Sequence, residues 1–253
     1  MGSGAGSVAL ASLYPALDVV GVDLDPEMVE IAREAHRLPN LSFVVGDIAT
    51  KVFEPGTLDG IFDSSVLHHV TSFDGYRYDA AADALAEQVR ALRPFGVLVV
   101  RDFLAPPEGD CFLDLPADDG DAGDDPRTCS TAALFERFAR EMRSLHEAPG
   151  FYYEEADERR GGPLAPGRRR FRCSLRHATE LVLRKDYRAD WEAEVKEEYA
   201  YFTQREFEAV FARLGLRILA STPIRNPWIV RHRIEGKVRF ATLEGAELSP
   251  PAT

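Results

Sequence analysis

Residues 18–101 alternate short apolar segments with longer amphipathic ones, and few architectures accommodate that pattern. The first apolar segment, residues 19–22, is rich in β-branched side chains and is followed by two acids and a proline, as expected of a buried parallel strand. Further strands are predicted at 41–45, 58–66 and 97–100. Parallel strands joined by helices form right-handed crossovers. The pattern therefore predicts an α/β fold with a doubly wound, mostly parallel sheet, whose ligand crevice lies at the carboxyl ends of its strands.

The segments between these strands carry helix signals. Asp25 is a suitable N-cap for a helix after the first strand, and Pro26 suits its first turn. A later helix is predicted from Asp79 to Leu92, where apolar residues follow the 3.6-residue period. Both helices are expected to pack one apolar face against the sheet.

The alternation stops after residue 101. Residues 105–130 are acidic and contain several Gly and Pro, which predicts a surface loop or lid, and 159–172 form a second loop rich in arginine. Helices are predicted at 131–145, within 181–199 and from the capping box at Thr203 to Leu214, followed by a strand at 216–220 and a weak last strand at 237–243. The predicted organisation is a ligand-binding core at 1–104, an inserted, largely helical cap at 105–200, and a return to the core at 201–253.

Charge and composition exclude several classes of protein. The chain of 253 residues carries 30 Lys and Arg against 42 Asp and Glu, a net charge of −12, which argues against a general nucleic-acid binder. No apolar run is long enough to span a membrane. Three widely spaced cysteines fit neither a disulfide framework nor zinc-ligand pairs, so a reducing cytoplasm and no metal are expected.

A glycine-rich start and two strand-end acids point to a nucleotide-like ligand. Gly2, Gly4 and Gly6 allow a tight turn and a close approach of the backbone to a ligand. Asp23, at the end of the first predicted strand, can accept hydrogen bonds from both hydroxyls of a ribose. Asp47, at the end of the next, can accept one from an adenine amino group. A nicotinamide fingerprint needs glycine at position 7, where this chain has serine.

These motifs together resemble the class I S-adenosylmethionine-dependent methyltransferases of the small-molecule type. The resemblance covers residues 2–103 and, more loosely, 203–224. It implies a Rossmann-like sheet, S-adenosylmethionine as cofactor, and a cofactor site on a defined set of residues. The matching motifs are Gly2-Ser3-Gly4-Ala5-Gly6, Gly21-Val22-Asp23, Gly46-Asp47-Ile48, Phe62 to His69, and Leu92 to Leu98. The implied cofactor-binding residues are Gly2, Gly4, Gly6, Asp23, Leu24, Met28, Asp47, Ile48 and Ser64.

The sequence departs from the family at both ends. The family has a strand and an acidic residue just before the glycine loop, whereas here Met1 directly precedes it. We hypothesise a start codon further upstream, which an in-frame stop in the upstream sequence would contradict. At the other end, 237–243 is only a weak candidate for the last strand of the family.

Three residues after the predicted strands at 58–66 and 97–100 are candidates for catalysis. His68 and His69 follow the strand at 58–66, and an imidazole with a pKa near 6.5 can remove a proton at neutral pH. Asp102, after the next strand, can assist either histidine. The alternatives are a histidine that packs on the cofactor or caps the next helix, and a solvated carboxylate. The strand at 58–66 lacks the Asn-Pro-Pro-Tyr type of motif, and within the family that it resembles this absence implies a small-molecule acceptor.

Two features of the cap region allow opposite interpretations. Trp191, Val195 and Tyr199 share one helical face, which favours core packing over a substrate box. The arginines of the basic stretch can bind an anionic substrate, or they can form a loop neutralised by the acidic segment before it. These arginines are Arg159, Arg160, Arg168, Arg169, Arg170, Arg172 and Arg176.

The sequence therefore predicts methyl transfer to an oxygen, nitrogen or carbon atom of a small molecule, without nucleic-acid or membrane partners. Two other functions stay open. One is a non-catalytic, methyltransferase-like binding domain, and the other is a nicotinamide-dependent oxidoreductase. A nucleic-acid methyltransferase is disfavoured because the net negative charge repels phosphates.

Overall fold

Residues 2–157, 160–249 and 251–252 are described by a computed structural model, in which the chain divides into two units. The first unit contains the residues up to Val70 together with Asp79–Asp102. The second contains Thr71–Tyr78 and the residues from Phe103 onward. The predicted division at residues 104 and 200 stays a prediction, and residues 201–253 fall in the second unit.

The first unit begins its sheet structure with a parallel strand pair. Strand β1 (Val19–Asp23) runs parallel to β2 (Leu41–Val45), with Gly21 opposite Phe43. Helix α2 (Pro26–Ala35) connects them and follows α1 (Ala5–Leu13) in the chain. The Asp25 carboxylate accepts a hydrogen bond from the backbone N–H of Glu27 at 2.8 Å, so the predicted cap is present.

A second parallel pair lies in the same unit. Strand β3 (Leu58–Ser64) pairs with β4 (Leu92–Arg101), and helix α4 (Tyr78–Ala91) precedes β4 as predicted. Strand β3 stops two residues before its predicted end because Ser65 adopts a positive φ of 52°, which turns the chain toward α3 (Leu67–Phe73).

The α/β class and the parallel pairing of strands are confirmed, but the described strands of the first unit are divided between two sheets. Among the described residues, β1–β2 and β3–β4 form separate two-stranded ladders and no backbone ladder joins them. The structure therefore contains the predicted βαβ units as two pairs.

The second unit contains an antiparallel sheet that the sequence analysis missed. Its order is β6-β7-β5-β8. The region predicted as an acidic loop contains β5, and the arginine-rich loop contains β7, so both loop predictions were wrong there. The charged residues hid the strand pattern, because the acids of β5 form ion pairs with arginines of β7, as Asp114 does with Arg170 directly opposite it. The bounds are β5 (Asp110–Pro116), β6 (Glu154–Glu155), β7 (Arg168–Ser174) and β8 (Arg239–Ala241).

The helices of the second unit match the predictions unevenly. Helix α8 has the predicted capping box, in which Thr203 and Glu206 bond to each other's backbone N–H. The region predicted as helical over 181–199 is instead broken, because α6 ends at Arg184. The bounds are α5 (Thr131–Glu141), α6 (Leu175–Arg184), α7 (Trp191–Glu194), α8 (Gln204–Arg213) and α9 (Pro227–Ile229).

Two strand predictions near the end of the chain have different outcomes. Residues 216–220 form no regular strand, so that prediction was wrong. Within 237–243 the structure has β8, which runs antiparallel to β5. No helix within the described ranges is both long and apolar enough to cross a bilayer.

The main apolar core lies within the second unit. Leu113 of β5, Phe171 of β7 and Phe138 of α5 are fully buried in it. Trp191, Val195 and Tyr199 are buried as well, at most 4% exposed, which agrees with the interpretation of this face as core.

Candidate functional site

The glycine loop precedes α1 in the first unit. Gly4 caps that helix with a left-handed φ of 82°, and a Cβ there would lie 3.1 Å from the Ala32 Cβ and from the Phe43 ring. A Cβ built on Gly2 or Gly6 would meet no atom within 4 Å. Gly4 is therefore required for packing, whereas Gly2 and Gly6 leave the backbone open to a ligand.

Asp23 ties this loop to the end of β1. Its Oδ2 accepts a hydrogen bond from Gly2 N at 2.8 Å, and its Oδ1 accepts one from Asp25 N at 3.1 Å. Partial burial opposes ionisation, but these backbone hydrogen bonds hold the pKa of Asp23 below its usual value. The carboxylate is thus ionised at neutral pH and suited to accept further hydrogen bonds from hydroxyls. Next in the chain, Leu24 is 69% exposed and Met28 is half-buried at the start of α2.

Asp47 lies beside Asp23 because their strands are neighbours. The backbone N–H of Gly46 donates to the Asp23 carbonyl at 2.9 Å, which joins the ends of β2 and β1. The Asp47 Oδ1 accepts a hydrogen bond from Ala49 N at 2.9 Å, so the carboxylate is held in a local turn. Ile48 is half-buried next to it.

A second group of predicted residues lies at the carboxyl ends of β3 and β4. Ser64 is exposed, and its Oγ accepts a hydrogen bond from the Arg101 guanidinium at 3.0 Å. The register of the pair explains this contact, since Ser64 and Arg101 are directly opposite each other.

Asp102 and His68 form a buried pair. The His68 Nδ1 lies 2.8 Å from Asp102 Oδ1, and the other carboxylate oxygen accepts from the backbone N–H groups of Val66 and Leu67. Because a carboxylate only accepts, we assign the hydrogen to Nδ1, which leaves Nε2 as the acceptor nitrogen. His69 packs on His68 with ring centroids 4.2 Å apart. The hydrogen bond to Asp102 therefore fixes the ring of His68.

Asp63 is a candidate functional residue that was not predicted from the sequence. It is only 6% exposed, and its Oδ2 has no hydrogen-bond partner among the described residues. Burial raises the pKa of Asp63 to about 6; Gln88 opposes this shift and the charge of Asp102 adds to it. The signal in the sequence was an acid directly after Ile61 and Phe62 within an apolar strand.

The described arginines of the basic stretch are paired with acids, with backbone carbonyls or, for Arg176, with a tyrosine hydroxyl. Arg169 bonds to both Glu136 and Glu155, and these contacts raise the pKa of its guanidinium. The geometry favours the neutralised interpretation over an anion-binding patch. The other pairs are Arg170 with Asp114, Arg172 with Asp110 and Arg160 with Glu154, while Arg168 bonds to carbonyls and Arg176 to the Tyr78 hydroxyl. Arg159 lies outside the described residues.

The predicted site residues thus form two groups within the first unit. One group, at the ends of β1 and β2, brings the glycine loop together with Asp23 and Asp47. The other, at the ends of β3 and β4, contains Ser64 and the His68–Asp102 pair. The first group carries ligand-binding features and the second carries a group that can accept a proton.

Comparisons with known proteins concern the same part of the chain. Residues 1–100 match the methyltransferase domain family. The chain is 33% identical over 99 residues to a phthiotriol/phenolphthiotriol dimycocerosates methyltransferase of Mycobacterium leprae. It is 36% identical over 106 residues to a demethylmenaquinone methyltransferase of Beutenbergia cavernae. The first match covers 39% of this chain and 33% of the relative, and the second covers 42% and 39%.

The chain therefore spans well under half the length of these two relatives. Among solved structures, an S-adenosylmethionine-dependent methyltransferase of Mesorhizobium loti shares 24% identity, with a TM-score of 0.34 over 43% of this chain and 48% of the other. The family match and the sequence relatives show that residues 1–100 are similar to methyltransferase domains.

Proposed function

We propose that the chain transfers a methyl group from S-adenosylmethionine to an oxygen, nitrogen or carbon atom of a small-molecule acceptor. The observation that carries this proposal is the Asp23 carboxylate, which is bonded to the glycine loop and lies beside Asp47. The two relatives bear the names of enzymes that methylate small molecules, which supports the class of acceptor. The net charge of −12 supports it too, since nucleic acids would be repelled.

The residues at the ends of β1 and β2 fit the proposed cofactor. The open space above Gly2 and Gly6 allows close approach to the backbone, and the ionised Asp23 suits two ribose hydroxyls. Asp47 would accept a hydrogen bond from the adenine amino group. When bound, S-adenosylmethionine supplies an electrophilic methyl group on a sulfonium. The residues proposed to hold it are Gly2, Gly4, Gly6, Asp23, Leu24, Met28, Asp47, Ile48 and Ser64.

His68 is proposed as the general base and Asp102 as the residue that positions it. The Nδ1–H···Oδ1 hydrogen bond fixes the ring, so that Nε2 can take the proton of an acceptor hydroxyl or amine. The Asp102 carboxylate then stabilises the imidazolium. His69 stays the alternative base.

We also propose a division of roles along the chain. Residues 1–104 form the cofactor-binding core, 105–200 select the acceptor, and 201–253 complete the core. The family match, which ends at residue 100, supports the first of these boundaries.

Calorimetric titration of S-adenosylmethionine and S-adenosylhomocysteine into the purified chain tests the cofactor site. We expect a dissociation constant in the micromolar range, equivalent to roughly −8 kcal/mol. Asp23→Ala should weaken binding roughly 10- to 100-fold, because hydrogen bonds to a charged group are lost. Asp18→Ala is the matched control, an exposed acid at the opposite end of β1, and should leave binding unchanged.

The same titration separates the proposal from its rivals. His68→Ala should retain cofactor binding, because this residue is proposed to act on the acceptor. Failure of the unaltered chain to bind either compound would contradict the proposal. Binding of a nicotinamide dinucleotide in place of both compounds would favour the oxidoreductase.

A further inference from the structure

Two of the three cysteines lie directly opposite each other in the second unit. Cys111 of β5 and Cys173 of β7 are register partners in the antiparallel ladder. They are distant in sequence, and only the pairing of β5 with β7 brings them together. Directly opposite residues project from the same face of a sheet, here the face that carries Leu113 and Phe171 into the core.

The hydrogen bonds at the two ends of the ladder fix the separation of this pair. Leu175 N donates to Gly109 O at one end, and Ala117 N donates to Gly167 O at the other, both at 2.8 Å. Hydrogen-bonded positions recur at every second residue, which makes Cys111–Cys173 a hydrogen-bonded pair. Such pairs have Cα atoms about 5.5 Å apart. Disulfides span Cα separations of about 4.4–6.8 Å, a range that includes this separation.

The side chains themselves support a sulfur–sulfur contact. A hydrogen bond with the Cys111 thiol, together with burial, raises the pKa of Cys173. Cys111 is 0% exposed and Cys173 is 4% exposed, so both thiols lie inside the core. The third cysteine, Cys129, is equally buried. It forms an isolated backbone β-bridge with Asp121, so its partner there is not a cysteine.

We infer that Cys111 and Cys173 are a redox modification site, which forms a reversible cross-strand disulfide when the chain folds in the presence of a small disulfide oxidant such as glutathione disulfide. A thiolate of one cysteine attacks the oxidant and releases one glutathione thiol. The second cysteine displaces the other glutathione, so that one protein S–S bond forms while the oxidant's S–S bond breaks. The two electrons and two protons lost by the cysteines leave on the two glutathione thiols.

The bond would act at a defined place in the fold. Ser174, the N-cap of α6, follows Cys173 directly, so the disulfide would fasten β5 to β7 where that helix begins. It would also close residues 112–172 into a covalent loop, which restricts the unfolded chain and raises stability. This inference concerns the second unit and does not depend on cofactor binding.

Refolding in a glutathione redox buffer, followed by alkylation and peptide mass spectrometry, tests the inference. Refolding from denaturant gives the oxidant access to thiols that are buried in the native chain. We expect Cys111 and Cys173 to be protected from alkylation and to appear in one disulfide-linked peptide pair, while Cys129 is alkylated. Cys129→Ala, the matched control, should form the same pair, whereas Cys111→Ala and Cys173→Ala should remain fully alkylated.

Fluorescence-monitored urea unfolding of the same samples gives a second readout. The oxidised chain should unfold at higher urea concentration than the reduced chain, and Cys111→Ala should show no such shift. Alkylation of all three cysteines after equilibration, or a disulfide that includes Cys129, would overturn the inference. An oxidised pair with an unchanged midpoint would overturn the stabilising role.

Discussion

The two units differ in how completely they bury the apolar side chains of their strands. In the first unit, Phe62 of β3 is 52% exposed, and Val97 and Val99 of β4 are 49% and 48% exposed. In the second, Leu113 and Leu115 of β5 are fully buried. The first unit nevertheless contains every motif by which the family is recognised. A recognisable motif and a dense core are therefore separate properties, and in this chain they lie in different regions.

The ion pairs of the two units also differ in how deeply they are buried. Arg170 and Asp114 form a bidentate pair within the second unit, with side chains 0% and 2% exposed. Arg93 and Asp59 of the first unit are 2.7 Å apart, but their side chains are 52% and 82% exposed. Water screens the exposed pair, whereas the buried pair has only each other and nearby polar groups to compensate for lost hydration.

Breaking the buried pair should have the largest effect on stability. Asp114→Ala leaves the Arg170 guanidinium buried without its carboxylate and should lower the free energy of unfolding by about 3–5 kcal/mol. Asp59→Ala, the exposed counterpart, should cost at most about 1 kcal/mol. Urea unfolding measures both variants, with tryptophan fluorescence for the first because Trp191 and Trp228 both lie in the second unit. Equal costs would contradict the contrast between the units.

Truncating one strand side chain in each unit tests the difference in packing. Leu113→Ala should cost about 2–5 kcal/mol, since it leaves a cavity in a closed core. Val99→Ala removes a half-exposed side chain and should cost less than about 1 kcal/mol. Tryptophan fluorescence measures the unfolding of Leu113→Ala, and amide hydrogen exchange measures the stability of β4 in Val99→Ala. A larger loss for Val99→Ala would show that the face of β4 is covered in solution.

The smallest expected effect is a pH dependence that arises in the first unit. Burial raises the pKa of Asp63 from 3.8 to about 6, so the folded chain binds this proton more tightly than the unfolded chain does. The contribution of Asp63 to stability is therefore unfavourable above pH 6 and vanishes below about pH 4. Asp63→Asn should be more stable than the unaltered chain by roughly 2–3 kcal/mol at pH 7, with the difference lost by pH 4.

His177 in the second unit changes stability with pH in the opposite direction to Asp63, and this shared contribution has to be removed from the comparison. Burial lowers its pKa to about 4, so its contribution to stability is lost as pH falls from about 6.5 toward 4. Unfolding curves of Asp63→Asn and the unaltered chain, followed from pH 4 to 7, cancel this shared term. A difference that does not vary with pH would contradict the assignment to Asp63.

Local signals in the sequence predicted much of the first unit. Asp25 and Pro26 predicted the start of α2, and the acids after β1 and β2 were correctly expected to lie together. Prediction failed where partners are distant in sequence. Strands β5 and β7 carry charges that are typical of loop residues until Asp114 is seen opposite Arg170 and Asp110 is seen paired with Arg172.

The candidate site shows the same limit. The glycine loop and Asp23 could be predicted because the backbone requirement and the strand-end position are both local. The choice of His68 over His69 could not, since it depends on a hydrogen bond to Asp102, which follows a different strand. Asp63 escaped notice because its significance comes from burial, which a sequence does not record.

The sequence by itself determined the α/β class, the similarity of residues 1–100 to methyltransferase domains and the helices that carry their own caps. These depend on propensity, periodicity and capping, which act over a few residues. The tertiary structure decided which charges are paired, which carboxylate is bonded to His68 and which cysteines are opposite each other. Each of these depends on strand register, and register is set by the packing of distant segments rather than by any one of them.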